Sequence, residues 1–111
     1  MIPCMWIYTL DDRVLNSALI ECLELIETFP EGTDLDEAAS DLVEVDFYEI
    51  VATLGSGDEA LLHACEDPEE AYLVYELLAD TLARGAFRDG TAILEPVSVH
   101  LLLERERQSH N

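Results

Sequence analysis

The apolar and polar positions along this chain change period several times, and each change marks an element. Met5 to Leu10 (MWIYTL) is rich in β-forming residues and runs into the turn pair Asp11-Asp12, which predicts a first strand. From Val14 to Phe29 two periods overlap. Leu15, Ala18, Leu19, Cys22, Leu23 and Ile26 recur at helical spacing with Ser17, Glu21, Glu24 and Thr28 opposite them, and this favours an amphipathic helix. The apolar density of Leu19 to Phe29 leaves a strand as the alternative.

Phe29-Pro30-Glu31-Gly32 ends that element. Thr33 to Asp41 (TDLDEAASD) reads as a short helix capped by Thr33, or as an acidic loop. Leu42 to Leu54 predicts a strand. Val43, Val45 and Phe47 alternate with Glu44 and Asp46, after which Tyr48, Ile50 and Ala52 share a face, so a bulge is expected near Phe47-Tyr48. Gly55-Ser56-Gly57-Asp58 is a hairpin turn, and Glu59 to Cys65 is the returning strand.

Asp67 as N-cap, Pro68 at the first helical position, Glu69 and Glu70 in the first turn and Gly85 after Arg84 delimit a helix over Pro68 to Arg84. Ala71, Val74, Tyr75, Leu78 and Leu82 form its apolar stripe, and Glu70 at the third position completes a capping-box-like pattern. Asp89-Gly90 marks another turn. Thr91 to Glu104 reads as one strand or two, interrupted at Pro96, and ERERQSHN as a polar tail. TLDDRVLNSALIECLELIE and FRDGTAILEPVSVHLLLER echo one another weakly, which would favour strands at both places.

The expected class is α+β: a single small domain over residues 1–104, built as an antiparallel sheet with one or two helices packed on one face, followed by a tail at 105–111. The order strand, helix, hairpin, helix, strand would be ferredoxin-like.

Composition changes the picture through charge. The 111 residues carry 25 acidic side chains against five arginines, no lysine and a net charge of -20, yet 50% are hydrophobic and the mean hydropathy is +0.10. Enough apolar surface is present to offset the entropy of ordering, so the chain is expected to fold. Direct binding to DNA, RNA or an anionic membrane is disfavoured, because each requires a cationic footprint. Cys4, Cys22 and Cys65 are odd in number and lack a C-x-x-C spacing, which fits a reducing compartment. No signal-peptide pattern or membrane-length apolar run is present, so a cytoplasmic protein is expected.

The charge is unevenly distributed. Between Arg13 and Arg84 lie 70 residues with 19 acids and no arginine, whereas the other 41 residues have a net charge of -1. Such a stretch is either a solvated surface or a docking face for something basic.

No catalytic motif is present: G-x-S-x-G, Walker A, G-x-G-x-x-G and H-E-x-x-H are all missing. His63 and Cys65 lie two apart on a strand, near carboxylates. A structural zinc site needs four converging ligands, and only Cys4, Cys22, His100 and His110 could supplement them, at no recognised spacing, so both are expected to be structural. Asp34-x-Asp36 begins like a calcium loop, but Ala38 and Ala39 stand where an oxygen ligand and the glycine should be. No metal, cofactor or catalytic residue is expected.

The acids are the remaining candidates: Glu31, Asp34, Asp36, Glu37 and Asp41 in a loop, Glu44 and Asp46 on one strand face, and Glu69, Glu70, Glu76 and Asp80 along the exposed side of the helix. Duplex DNA carries one charge per roughly 1.7 Å of its axis, so rows of carboxylates on a fold can imitate its field. In this, and only by composition, the chain resembles the small acidic DNA-mimic inhibitors and some anti-CRISPR proteins of phages and mobile elements. That resemblance implies a non-enzymatic inhibitor or regulator that docks on a basic protein or nucleic-acid-binding complex. The alternative is an acidic accessory module whose charge reflects adaptation to concentrated salt.

Overall fold

The computed structural model describes residues 5–30, 32 and 45–109. It is an α+β fold with two antiparallel sheets and two helices. β1 (Trp6–Tyr8) and β2 (Val14–Asn16) form a small hairpin in which Ile7 faces Leu15, both buried, while Trp6, Tyr8 and Val14 point outward. Asp12 adopts a left-handed conformation (φ 64°) in its turn. Asp11 there accepts from both Thr9 and the Arg13 guanidinium.

β3 (Ile20–Thr28), β4 (Phe47–Leu54) and β5 (Glu59–Cys65) form the second sheet as an antiparallel meander. The helix expected over Val14 to Phe29 is therefore replaced by strand, 3-10 turn and strand. Asn16 accepts from the Ala18 amide and closes a single 3-10 turn at Ser17–Leu19, interrupting the helical period before it can propagate. Beyond that turn Leu23 and Leu25 alternate with Glu24 and Ile26, and pairing with β4 selects the two-residue period over the helical one.

The bulge lies elsewhere than expected. Phe47 and Tyr48 pair in continuous register with Thr28 and Glu27, and β4 simply begins at Phe47. The ladder shifts instead between Ile50↔His63 and Val51↔Leu61, which makes Leu62 the extra residue on β5. A second irregularity falls between Ile20 and Cys22.

α1 (Pro68–Arg84) has the expected bounds. The Asp67 side chain accepts from the Glu69 amide at 2.9 Å, and Gly85 takes the left-handed conformation (φ 66°) while its amide closes on Thr81. Glu70 does not close a capping box: its carboxylate points to His63 and Arg107. Ala71, Val74, Leu77, Leu78 and Thr81 are buried, and Tyr75 donates its hydroxyl to the Leu23 carbonyl at 3.1 Å, tying the helix to β3.

The C-terminal part corrects the sequence reading most. Residues 99–104, expected as strand, and 105–109, expected as tail, form one helix, α2 (Val99–Ser109). Ser98 accepts from the Leu101 amide as an N-cap, and Val99, Leu102, Leu103 and Glu106 are buried at helical spacing. Of the strand expected upstream, Val97 alone bridges β1 and Ala92 alone bridges Ala86. Among the described residues the element order is five strands followed by two helices, and no strand follows the last helix as a ferredoxin-like arrangement would require. The core joins Ile7, Leu15, Ile50, Ala52, Ala60 and Leu62 of the strands to Val74 and Leu78 of α1 and Leu102 and Leu103 of α2. No helix among the described residues is long and apolar enough to cross a membrane.

Candidate functional site

All five arginines pair with carboxylates, and three of them, Arg88, Arg105 and Arg107, fasten the C-terminal half together. Arg84 holds Asp80 at 2.8 Å, and Arg88 reaches both Asp80 and the buried Glu106, the latter at 3.1 Å. Arg105 pairs with Asp89 at 2.7 Å and lies 3.8 Å over the Phe87 ring, while Arg107 approaches Glu70 at 3.5 Å. Arg13 is bound to Asp11 at the β1–β2 turn. Arg88, Arg105 and Arg107 clamp α2 to α1 and to the connecting loop, and none of the acids of the three-stranded sheet pairs with arginine among the described residues.

The expected site residues divide accordingly. Glu31, Asp34, Asp36, Glu37, Asp41 and Glu44 lie outside the described residues, but their segment leaves β3 at Thr28 and enters β4 at Phe47, which are paired neighbours. Asp46, Glu69 and Glu76 are exposed, and none pairs with arginine among the described residues. Glu70 and Asp80 are engaged in the ion pairs above, so the row of acids along the helix is broken at two of its four positions.

At the end of the sheet where β3 stops and α1 starts, Glu27 and Asp67 lie close to a tilted aromatic pair, and Asp46, Glu66 and Glu69 are their near neighbours along the chain. Tyr48 of β4 and Tyr72 of α1 have ring centroids 6.3 Å apart, and Tyr72 is half exposed. Loss of hydration, with the fields of Glu27 and Asp67 adding to it, holds the Tyr48 hydroxyl above its ordinary pKa. The acids are not confined to this end. Glu21 approaches Gly55 at the opposite turn, near Asp58 and Glu59, and Glu24 and Glu49 point away from α1 on the open face of the sheet.

Sequence reasoning weighs His63 and Cys65 as ligands but does not join Glu70 to them, and the three meet between β5 and α1. The Leu62 bulge puts Leu62 into the core and leaves the adjacent His63 free to reach the helix, where its Nε2 lies 3.2 Å from Glu70 Oε2. Cys65 Sγ, His63 and Glu70 offer ligand atoms that all lie within 4.8 Å of one another. Burial, reinforced by the Glu70 and Asp67 carboxylates, pushes the Cys65 thiol up to about 11. His63 and Glu70 also line a cleft of about 320 Å3 bordered by Tyr8, Leu62, His100 and Arg107. The first-turn position of Glu70 and the two-residue spacing of His63 and Cys65 are visible in sequence; their convergence is not.

Comparison of the chain with family models, curated proteins and solved structures finds no match.

Proposed function

We propose that this protein is an inhibitor or regulator that docks an acidic surface on a basic, nucleic-acid-binding partner, acting by nucleic-acid mimicry rather than by catalysis. The observation that carries the reading is the separation of charge: every arginine is committed to an ion pair with a nearby carboxylate, and no sheet acid shares in that compensation among the described residues. Such a surface gains by meeting an external cation, through charge complementarity and counterion release. The docking face is assigned to the sheet end at Glu27, Asp46 and Glu69, to Glu76 farther along α1, and to Glu31, Asp34, Asp36, Glu37, Asp41 and Glu44, which lie between β3 and β4 in sequence. Tyr72 supplies apolar contact at its centre, as aromatic residues commonly do in interfaces.

The test is an affinity capture from the native host with three baits: wild type, a variant with Glu27, Asp46, Glu69 and Glu76 reversed to lysine, and a control with Glu21, Asp58 and Glu59 reversed. The expected partner is retained by wild type and control, lost by the first variant, and displaced by added DNA or RNA. Equal retention by all three folded baits, or a partner that nucleic acid does not displace, would sink the reading.

A second reading has its own observation. Carboxylates also occupy the opposite turn and the open face of the sheet, as expected if the charge serves hydration and solubility in concentrated salt rather than one interface.

A further inference from the structure

We propose that His63, Cys65 and Glu70 bind a single divalent transition-metal ion, best suited to Zn2+, at the junction of β5 and the first turn of α1. The three ligand atoms come from two elements whose positions are fixed by the core, and they lie within 4.8 Å of one another. Zinc bound by one sulfur, one nitrogen and one oxygen at about 2.0–2.3 Å places its ligands roughly 3.3–3.8 Å apart in a tetrahedron. The remaining gap is about 1 Å, on the scale of a side-chain rotation.

The local structure is arranged for this convergence. The extra residue at Leu62 allows His63 to face the helix while Leu62 stays in the core, and the two-residue spacing keeps Cys65 on the same side as His63. Arg107 approaches Glu70 Oε1 at 3.5 Å, whereas Oε2 faces His63, so the guanidinium restrains the carboxylate from its far side. Glu66, Asp67 and Glu69 flank the cluster without an arginine partner among the described residues, and their field draws cations to it.

The donor set selects the metal class. Mg2+ and Ca2+ require a shell of oxygen ligands, whereas sulfur, nitrogen and one carboxylate suit Zn2+ or Co2+. Three protein ligands leave one coordination position for water beside the adjoining cleft.

Co2+ is the probe, titrated into chelator-treated protein in excess Mg2+ so that scattered carboxylates are already occupied. A protein carrying Cys4→Ser and Cys22→Ser, with Cys65 its only thiol, should show a thiolate-to-cobalt charge-transfer band that saturates at one equivalent and is abolished by added Zn2+. Adding Cys65→Ser should remove the band, and His63→Gln or Glu70→Gln should each weaken binding at least about tenfold. Zn2+ should raise the melting temperature of the Cys65 protein but not of its serine variant. No band in the protein with Cys65 alone, saturation at half an equivalent, or affinity unchanged by His63→Gln would each overturn the proposal. The first two of those outcomes need no ligand variant to fold.

Discussion

Asp11 and Asp89 show how single residues in a polyanion can still stabilise it. Asp89 is held below its ordinary pKa first by the Thr91 side chain and amide and then by Arg105, and Asp11 by hydrogen bonds from Arg13 and Thr9. A carboxylate with a depressed folded pKa contributes stability that is fully present above its unfolded value, near 3.8, and is lost as pH falls through the folded value. The melting temperature of Asp89→Asn should therefore lie below that of wild type at pH 6, and the gap should narrow as pH drops below about 3.8. A gap that stays constant with pH would assign Asp89 a role unrelated to its charge. The Asp11 contacts and the Asp89–Thr91 contact are local, two residues apart, and the Asp89-Gly90 turn was legible in sequence. The pairing of Arg88 with the buried Glu106 was not, because 18 residues separate them and the second lies on a helix read as a tail.

At the scale of elements, legibility followed how locally each element is specified. The ends of α1 were readable because cap, first-turn proline and terminal glycine act within a few residues. Asp67→Ala should cost about 1 kcal/mol, and Gly85→Ala about the same because alanine is strained at φ 66°. Chemical denaturation of each variant measures both losses, and Asp67→Asn should recover most of the first. The β4–β5 hairpin was equally local. Residues 14–28 were not, since their apolar positions satisfy both periods and pairing with β1 and β4 on either side of the 3-10 turn decides between them. α2 was misread for the opposite reason. Its period of Val99, Leu102, Leu103 and Glu106 is helical, but the last member is charged, and its burial depends on Arg88 arriving from another segment.

For the whole molecule the governing quantity is self-repulsion. A net charge of -20 on one small domain should make the melting temperature rise with added salt and level off once the Debye length falls to a few ångströms, near 1 M. A melting series in KCl from dilute buffer to molar concentrations measures this. Folding in dilute buffer with a modest gain fits a docking protein, whereas a requirement for molar KCl would favour the salt-adaptation reading.

The α+β class, the bounds of α1, the β4–β5 hairpin and the confinement of charge to the stretch between Arg13 and Arg84 all follow from the order of residues alone. Each of these depends on neighbours in the chain or on simple counting. Only the packing of distant segments fixes residues 20–28 as strand, residues 99–109 as helix, and Arg88, Arg105 and Arg107 as the clamps of α2 and the loop before it. It also brings His63, Cys65 and Glu70 together. The reason is common to all four: each outcome depends on which distant segment packs alongside, and a period or a charge written locally does not specify its partner.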